Sequence, residues 1–331
     1  MFKLIKKYLN AFSVSGFETE LANIIISDLE PIADSITVDP MGNVIVFKKG
    51  ADSSKKLMIA SHMDEIGFIV TDVDASGMVH LSPIGGINAV ASSYQRVRFQ
   101  NGTVGVIVAE DGCRAADLTA VKLVVDIGAE DGKKAGKKVK IGDVCAVYPL
   151  IQKIGSHRYA AKAMDDRICC VASAYAALNA KCFAYDTYFV FTVQEELGCR
   201  GAKPSSFTVM PDYSIALDVT PCPATGNPNH LTVKLGAGAA IKIKDSSVIC
   251  SPKIVKRLTD LAEECGIKHQ FEVLPAGGTD TSQMQIAGSG SAAGCISVPT
   301  RYVHSPVEVI DMNDLNAATE LLIAFIEKGA V

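Results

Sequence analysis

Two adjacent glutamates, Glu195 and Glu196, close the apolar run Tyr188-Phe-Val-Phe-Thr-Val-Gln194 and are followed by Leu197-Gly198. The run carries no charge before its end and is rich in β-branched and aromatic residues, so it reads as an interior strand. Neighbouring side chains on a strand point to opposite faces, which gives the two carboxylates different tasks. Two like charges buried together need a cation or a proton to compensate them. A metal ligand beside a general base satisfies that need and points to a metallohydrolase.

Other residues of the right types lie at the ends of apolar runs. His62 and Asp64 follow the strand-like segment Leu57-Met-Ile-Ala60, where open α/β sheets place their sites. The His-x-Asp spacing puts both on one face of an extended chain, although alone it fits a core histidine equally well. Asp165 and Asp166 precede an apolar, alanine-rich stretch reaching about Lys181. They read either as helix-capping acids or as one bridging ligand, Asp165, with Asp166 and Arg167 bracing the turn. Asp218 ends the run Tyr213-Ser-Ile-Ala-Leu217, and His304 stands two residues before Pro306 in a chain with only six histidines. His80, His157, His230 and His269 lack comparable acidic company and read as structural or surface residues. Together His62, Asp165, Glu196, Asp218 and His304 offer nitrogen and oxygen donors without a thiolate. That donor set fits a hydrolytic zinc, cobalt or manganese site, and one shared ligand makes it sufficient for two ions.

The elements that must position these residues alternate. Residues 21–29 repeat apolar side chains at helical spacing. Short strands follow at 35–39 and 43–47, around Pro40-Met-Gly42. From about 68 to 160 the texture changes to short β runs between glycine-containing turns: 68–70, 78–81, 95–99, 103–108, 122–127 and 144–148. Alternation then resumes and includes helices at 252–265 and from an Asp311 N-cap onward, with Asp314 three residues later and Leu315, Ala318, Leu322 and Phe325 as its apolar stripe. The expected fold is α/β: a mixed sheet with flanking helices, formed by residues 1–67 and 161–331, into which a small β-barrel-like domain, 68–160, is inserted.

The 331 residues carry a net charge of −4, with scattered basic residues, so no nucleic-acid surface is expected. No apolar stretch has the length and purity of a membrane span. The ten cysteines form no Cys-x-x-Cys and no regular frame, and they read as reduced thiols of a cytoplasmic protein.

Four segments, Ser61-His-Met-Asp-Glu-Ile-Gly67, Ala163-Met-Asp-Asp-Arg167, Val193-Gln-Glu-Glu-Leu-Gly198 and Tyr302-Val-His-Ser-Pro-Val-Glu308, resemble in order and spacing the tetrahedral (TET) aminopeptidases, metallopeptidase family forty-two. That family includes glutamyl aminopeptidases and members once labelled endoglucanases. The resemblance covers essentially the whole chain. It implies a zinc-aminopeptidase-like fold and removal of the N-terminal residue from peptides with a free amine. His62 and Asp218 would hold one divalent ion, Glu196 and His304 the other, with Asp165 between them. Glu195 would be the general base and Asp64 the partner of His62. Thr279 and Asp280, in Pro275-Ala-Gly-Gly-Thr-Asp280, would lie near the substrate. The insert would drive dimerisation, and dimers would assemble into a tetrahedral dodecamer.

The chain departs from the family pattern at Ala239, where many members have proline, and at Cys199, where an aliphatic residue is usual. A two-metal N-acyl amino acid deacylase or carboxypeptidase is the alternative enzyme reading. An assembly protein on an inactive hydrolase fold is the non-enzymatic one. The absence of tryptophan and 6% aromatic content speak against a sugar-binding glucanase.

Overall fold

A computed structural model of the chain describes residues 1–226 and 230–330. Its centre is four parallel strands, ordered Tyr185–Thr192, Asp52–His62, Tyr213–Pro221 and Ala292–Arg301. Apolar residues occupy both faces of these strands, as a sheet covered by helices requires. Antiparallel strands extend the sheet on both sides. Val44–Lys48 and Ser35–Val38 continue one side, and Glu308–Asp311, Arg158–Ala161 and Gln152–Ile154 the other. Ala239–Lys244 and His269–Val273 branch from Ala292–Arg301. Eleven strands thus make one mixed sheet.

The helix Met164–Asn179 is buried along most of its length and packs against Phe2–Asn10 and Met312–Lys328. Phe2–Asn10 was not read from the sequence; Ile5, Tyr8 and Leu9 are its buried residues. Asp311 caps Met312–Lys328 as expected, its side chain accepting the Asn313 N–H at 3.0 Å. Asp314 turns elsewhere and accepts the N–H groups of Gly236 and Gly238 at 2.6 and 2.7 Å. That fixes the loop leading into Ala239, whose own N–H donates to the Lys268 carbonyl at 3.0 Å, a bond proline could not make.

The six β runs read from the sequence between 68 and 148 close into one antiparallel barrel. Its strands are Gly67–Val73, Val79–Ile84, Arg96–Phe99, Val104–Ala109, Leu123–Asp126 and Val144–Val147. Period-two alternation fills its interior: Val79 and Leu81, Val97 and Phe99, Leu123 and Val125 point inward. Residues 152–160, assigned to the insert in the sequence, instead join the large sheet: Arg158–Ala161 pairs with Glu308–Asp311, and Gln152–Ile154 pairs with Arg158–Ala161 at the edge. They have β character either way, and only the available partner decides which sheet they join.

Candidate active site

The chain enters the barrel shortly after His62, and after the barrel two strands of the large sheet lead to Asp165, so the site lies where the two units meet. In the parallel register Thr192 is opposite His62, which brings the Glu195–Glu196 turn beside the histidine. Asp218 lies on the next strand, and His304 follows Arg301 on the one after. His62, Glu195, Glu196 and His304 stand at or beyond carboxyl ends of parallel strands, and Asp218 lies in the second half of its own.

Asp165 is central. Its Oδ1 lies 3.1 Å from His62 Nε2, and its Oδ2 lies 3.3 Å from His304 Nε2. Glu196 Oε2 is 3.1 Å from the same His304 nitrogen, and Glu195 Oε2 is 3.9 Å from His62 Nε2. Asp165, Glu196 and His304 form one cluster of donor atoms. His62, Asp218 and Asp166 form another, within each of which the atoms lie inside 4.8 Å of one another. Asp166 thus joins the His62 cluster, one oxygen accepting the His62 N–H at 3.2 Å and the other having no hydrogen-bond partner.

Both histidines turn Nδ1 to a backbone carbonyl, His62 to Asp64 at 3.1 Å and His304 to Gly86 at 3.2 Å. An Nδ1–H donated there leaves Nε2 free as a ligand toward the carboxylates. The Asp64 carboxylate, 3.4 Å from the His62 ring, has further work. It accepts the N–H groups of Glu195 at 2.9 Å and Glu196 at 3.2 Å, and the Ser15 hydroxyl at 2.5 Å. One buried acid therefore sets the turn carrying both glutamates.

Several positioning residues were not singled out in the sequence. Glu308, buried, accepts the His304 N–H at 2.8 Å and the Asp165 N–H at 3.1 Å. Glu18 accepts the Gln194 N–H at 3.1 Å. Gly86 packs so closely that a Cβ there would lie 2.5 Å from His304 Nδ1. The Gly85-Gly86 pair was the available signal. Non-glycine residues in the left-handed region flank each segment: Ala163, Gln194, Cys199, Tyr302 and His304 itself. Such backbone persists only where surrounding contacts hold it, and it clusters at functional sites. His80, read as lacking acidic company, lies 3.4 Å from Asp74 and 3.5 Å from Glu110 in the barrel, apart from this site.

The electrostatics describe a site short of positive charge. Burial pushes Glu195 up to about 8 and raises Glu196 and Asp218, the last also through Asp166 and Asp165. Burial opposes a charged His304, but Asp165 and Glu196 outweigh it and hold the ring up at about 11. The same histidine contacts lower Asp165 despite its burial. Without metal, imidazolium protons supply the cationic charge that divalent ions would otherwise provide. The donor chemistry and the unpartnered Asp166 oxygen therefore fit a metal centre.

Beside it opens a cleft of about 760 Å³, lined by Glu195, Asp218 and Thr279 and by apolar Val219, Pro221, Leu274, Pro275 and Val303. Thr279 reaches this cleft. Asp280 is buried behind it, accepting the Thr192 hydroxyl at 2.6 Å and clustering with Glu195 and Cys199.

The aminopeptidase from Desulfurococcus kamchatkensis has this fold with a TM-score of 0.92 at 35% identity, over 99% of this chain and 94% of that one. The TET1 peptidase of Pyrococcus horikoshii, which can assemble into a tetrahedron or a large octahedral shell, matches at 0.89 and 30% identity over 98% of both chains. A protein of Acetivibrio thermocellus named as an aminopeptidase is 42% identical over 98% of this chain and 97% of its own. Fold and site thus define a hydrolase of the peptidase class. More narrowly, the chain belongs to the M42 glutamyl aminopeptidase family, whose pattern matches residues 42–321. It is an aminopeptidase by family, and that metallopeptidase membership suggests divalent ions. Among the described residues no helix is long and apolar enough to cross a membrane.

Proposed function

We propose that the protein is a two-metal aminopeptidase in which Glu195 is the general base. The observation that carries this reading is Asp165, whose two oxygens each face a different histidine. In this reading His62 and Asp218 hold one ion, Glu196 and His304 the other, and Asp165 is shared; zinc or cobalt suits the donors best, with manganese next. When bound, the ions lower the pKa of a water and polarise the scissile carbonyl. Glu195 accepts the water's proton and returns it to the leaving amine. Its burial, which raises its proton affinity, suits a group that must hold and release a proton near neutrality.

The Asp64 carboxylate keeps Glu195 and Glu196 in register, while Gly86 and the Asp64 carbonyl keep the imidazoles turned. Thr279 borders the cleft that receives the N-terminal residue. The barrel acts as the dimerisation element, supported by exposed Val90, Tyr94, Val104, Val106 and Tyr148. By likeness to the tetrahedral relative, dimers build a dodecamer. The ten unpaired cysteines fit a reducing compartment such as the cytoplasm.

The test is turnover of Leu, Glu, Asp, Lys and Ala p-nitroanilides by chelated protein resupplied with cobalt or zinc. Metal-restored cleavage of one class is the expected result. Silence across the panel with metal bound would overturn the reading.

A further inference from the structure

Cys199, Glu195 and Asp280 meet at the inner wall of the cleft, outside both ligand sets assigned above. Cys199 Sγ donates to Glu195 Oε1 at 3.0 Å, and donor atoms of all three residues lie within 4.8 Å of one another. Asp280 is 3% exposed. One of its oxygens takes the Thr192 hydroxyl, and the other has no hydrogen-bond partner. A buried carboxylate oxygen without a partner marks a missing donor or cation. Among the described residues Asp280 forms no ion pair with lysine, arginine or histidine, and the His62 ring, 3.9 Å away, is the only such neighbour of Glu195.

We propose that Glu195, Cys199 and Asp280 form a third cation site, selective for soft divalent ions such as zinc and cadmium, whose filling withdraws Glu195 and stops turnover. The inhibitory part rests on the assignment of Glu195 as base; the binding part does not. Charge favours it. Asp165, Asp166, Glu195, Glu196, Asp218 and Asp280 bring six carboxyl groups together, more negative charge than two divalent ions neutralise. Donor type sets the selectivity, because a sulfur ligand suits zinc and cadmium and discriminates against magnesium, calcium and manganese. Binding requires the thiol to release its proton to solvent as the metal–sulfur bond forms. Access is available, since Cys199 and Glu195 both line the open cleft.

Cadmium titration tests the site directly, because the thiolate-to-cadmium charge-transfer absorption reports sulfur ligation and the two primary ligand sets contain no sulfur. Cobalt-loaded wild-type protein should develop this band on cadmium addition and lose turnover in parallel. Cys199→Val and Cys199→Ser, each measured against its own cadmium-free rate, should lack that increment and need about tenfold or more cadmium for half-inhibition. Asp280→Asn should keep the thiol but weaken the band's apparent affinity by a similar factor. Equal bands and equal inhibition in wild type and both Cys199 variants would overturn the proposal. So would an unmoved cadmium affinity in Asp280→Asn, which would reduce the site to a solitary thiol. Failure of cobalt to restore turnover in any of these proteins would instead count against the two-metal reading and leave the absorption test intact.

Discussion

Around Glu65 two cations meet one carboxylate: Lys162 Nζ lies 2.5 Å from its oxygens, and Arg167 Nη2 lies 2.6 Å from one of them. Around Asp165, close in the chain to Lys162 and Arg167, carboxylates outnumber histidines, and lysine and arginine form no ion pair with Asp165, Glu195, Glu196 or Asp218 among the described residues. The first cluster is fully buried, the second is half-open on the His304 side, and their electrostatics are opposite. Arg167 and Lys162 overcome burial and hold Glu65 below the usual carboxylate range. Burial prevails at Glu195, Glu196 and Asp218, which rise. The first cluster is complete and serves structure, since Arg167 also donates to the Tyr8, Leu9 and Ala11 carbonyls and ties the first helix to the core. The second lacks cations, and that deficit fits it for divalent ions.

Breaking one cluster should cost activity and breaking the other stability. Glu195→Gln should lower turnover by about 10²–10⁴-fold with metal content unchanged; wild-type rates would remove Glu195 from the base role. Arg167→Met leaves Glu65 with a single partner and removes the donor shared by the Tyr8, Leu9 and Ala11 carbonyls. It should destabilise the fold by roughly 3–5 kcal/mol in urea titration, and a loss below 1 kcal/mol would dissolve the contrast. Asp165→Asn should reduce metal affinity by about 10–100-fold, and full metal occupancy by elemental analysis would contradict its shared position.

The smallest effect is a pH slope. In chelated protein Glu195 and Asp280 are raised by burial to about 8 and about 6, above ordinary values of 4.5 and 3.8, and His304 is raised to about 11 from 6.5. Each raised group gives stability that is full below its unfolded value and lost as pH rises through the folded one. Melting temperature of the metal-free protein should therefore fall between about pH 5 and pH 8, and metal loading should flatten that slope. Asp165, lowered by His304 and His62, works in the opposite sense only in more acidic solution. A slope identical with and without metal would show that the acidic cluster is already neutralised.

Much of this was legible in the sequence because it is local. His62, Glu196 and Asp218 end or follow apolar runs, and short β runs at 78–81, 95–99 and 122–127 marked barrel strands before any partner was known. Residues whose roles depend on distant partners were not legible. Glu65 carries no sign of meeting Lys162 and Arg167, about a hundred positions away. Nothing in the sequence shows that the Glu308 carboxylate bridges the Asp165 and His304 backbones. Residues 152–161 have strand propensity, but propensity does not choose between two sheets.

The sequence alone therefore determined the donor chemistry, the strand ends that carry it and the existence of a β insert, because composition and periodicity are properties of contiguous residues. The tertiary structure decided which buried acids are balanced and which are left wanting a cation. It also decided that a barrel glycine turns His304, and that Cys199 and Asp280, 81 positions apart, bring donor atoms within 4.8 Å of one another and of Glu195. Charge balance and side-chain orientation depend on distances through space, which spacing along the chain does not encode.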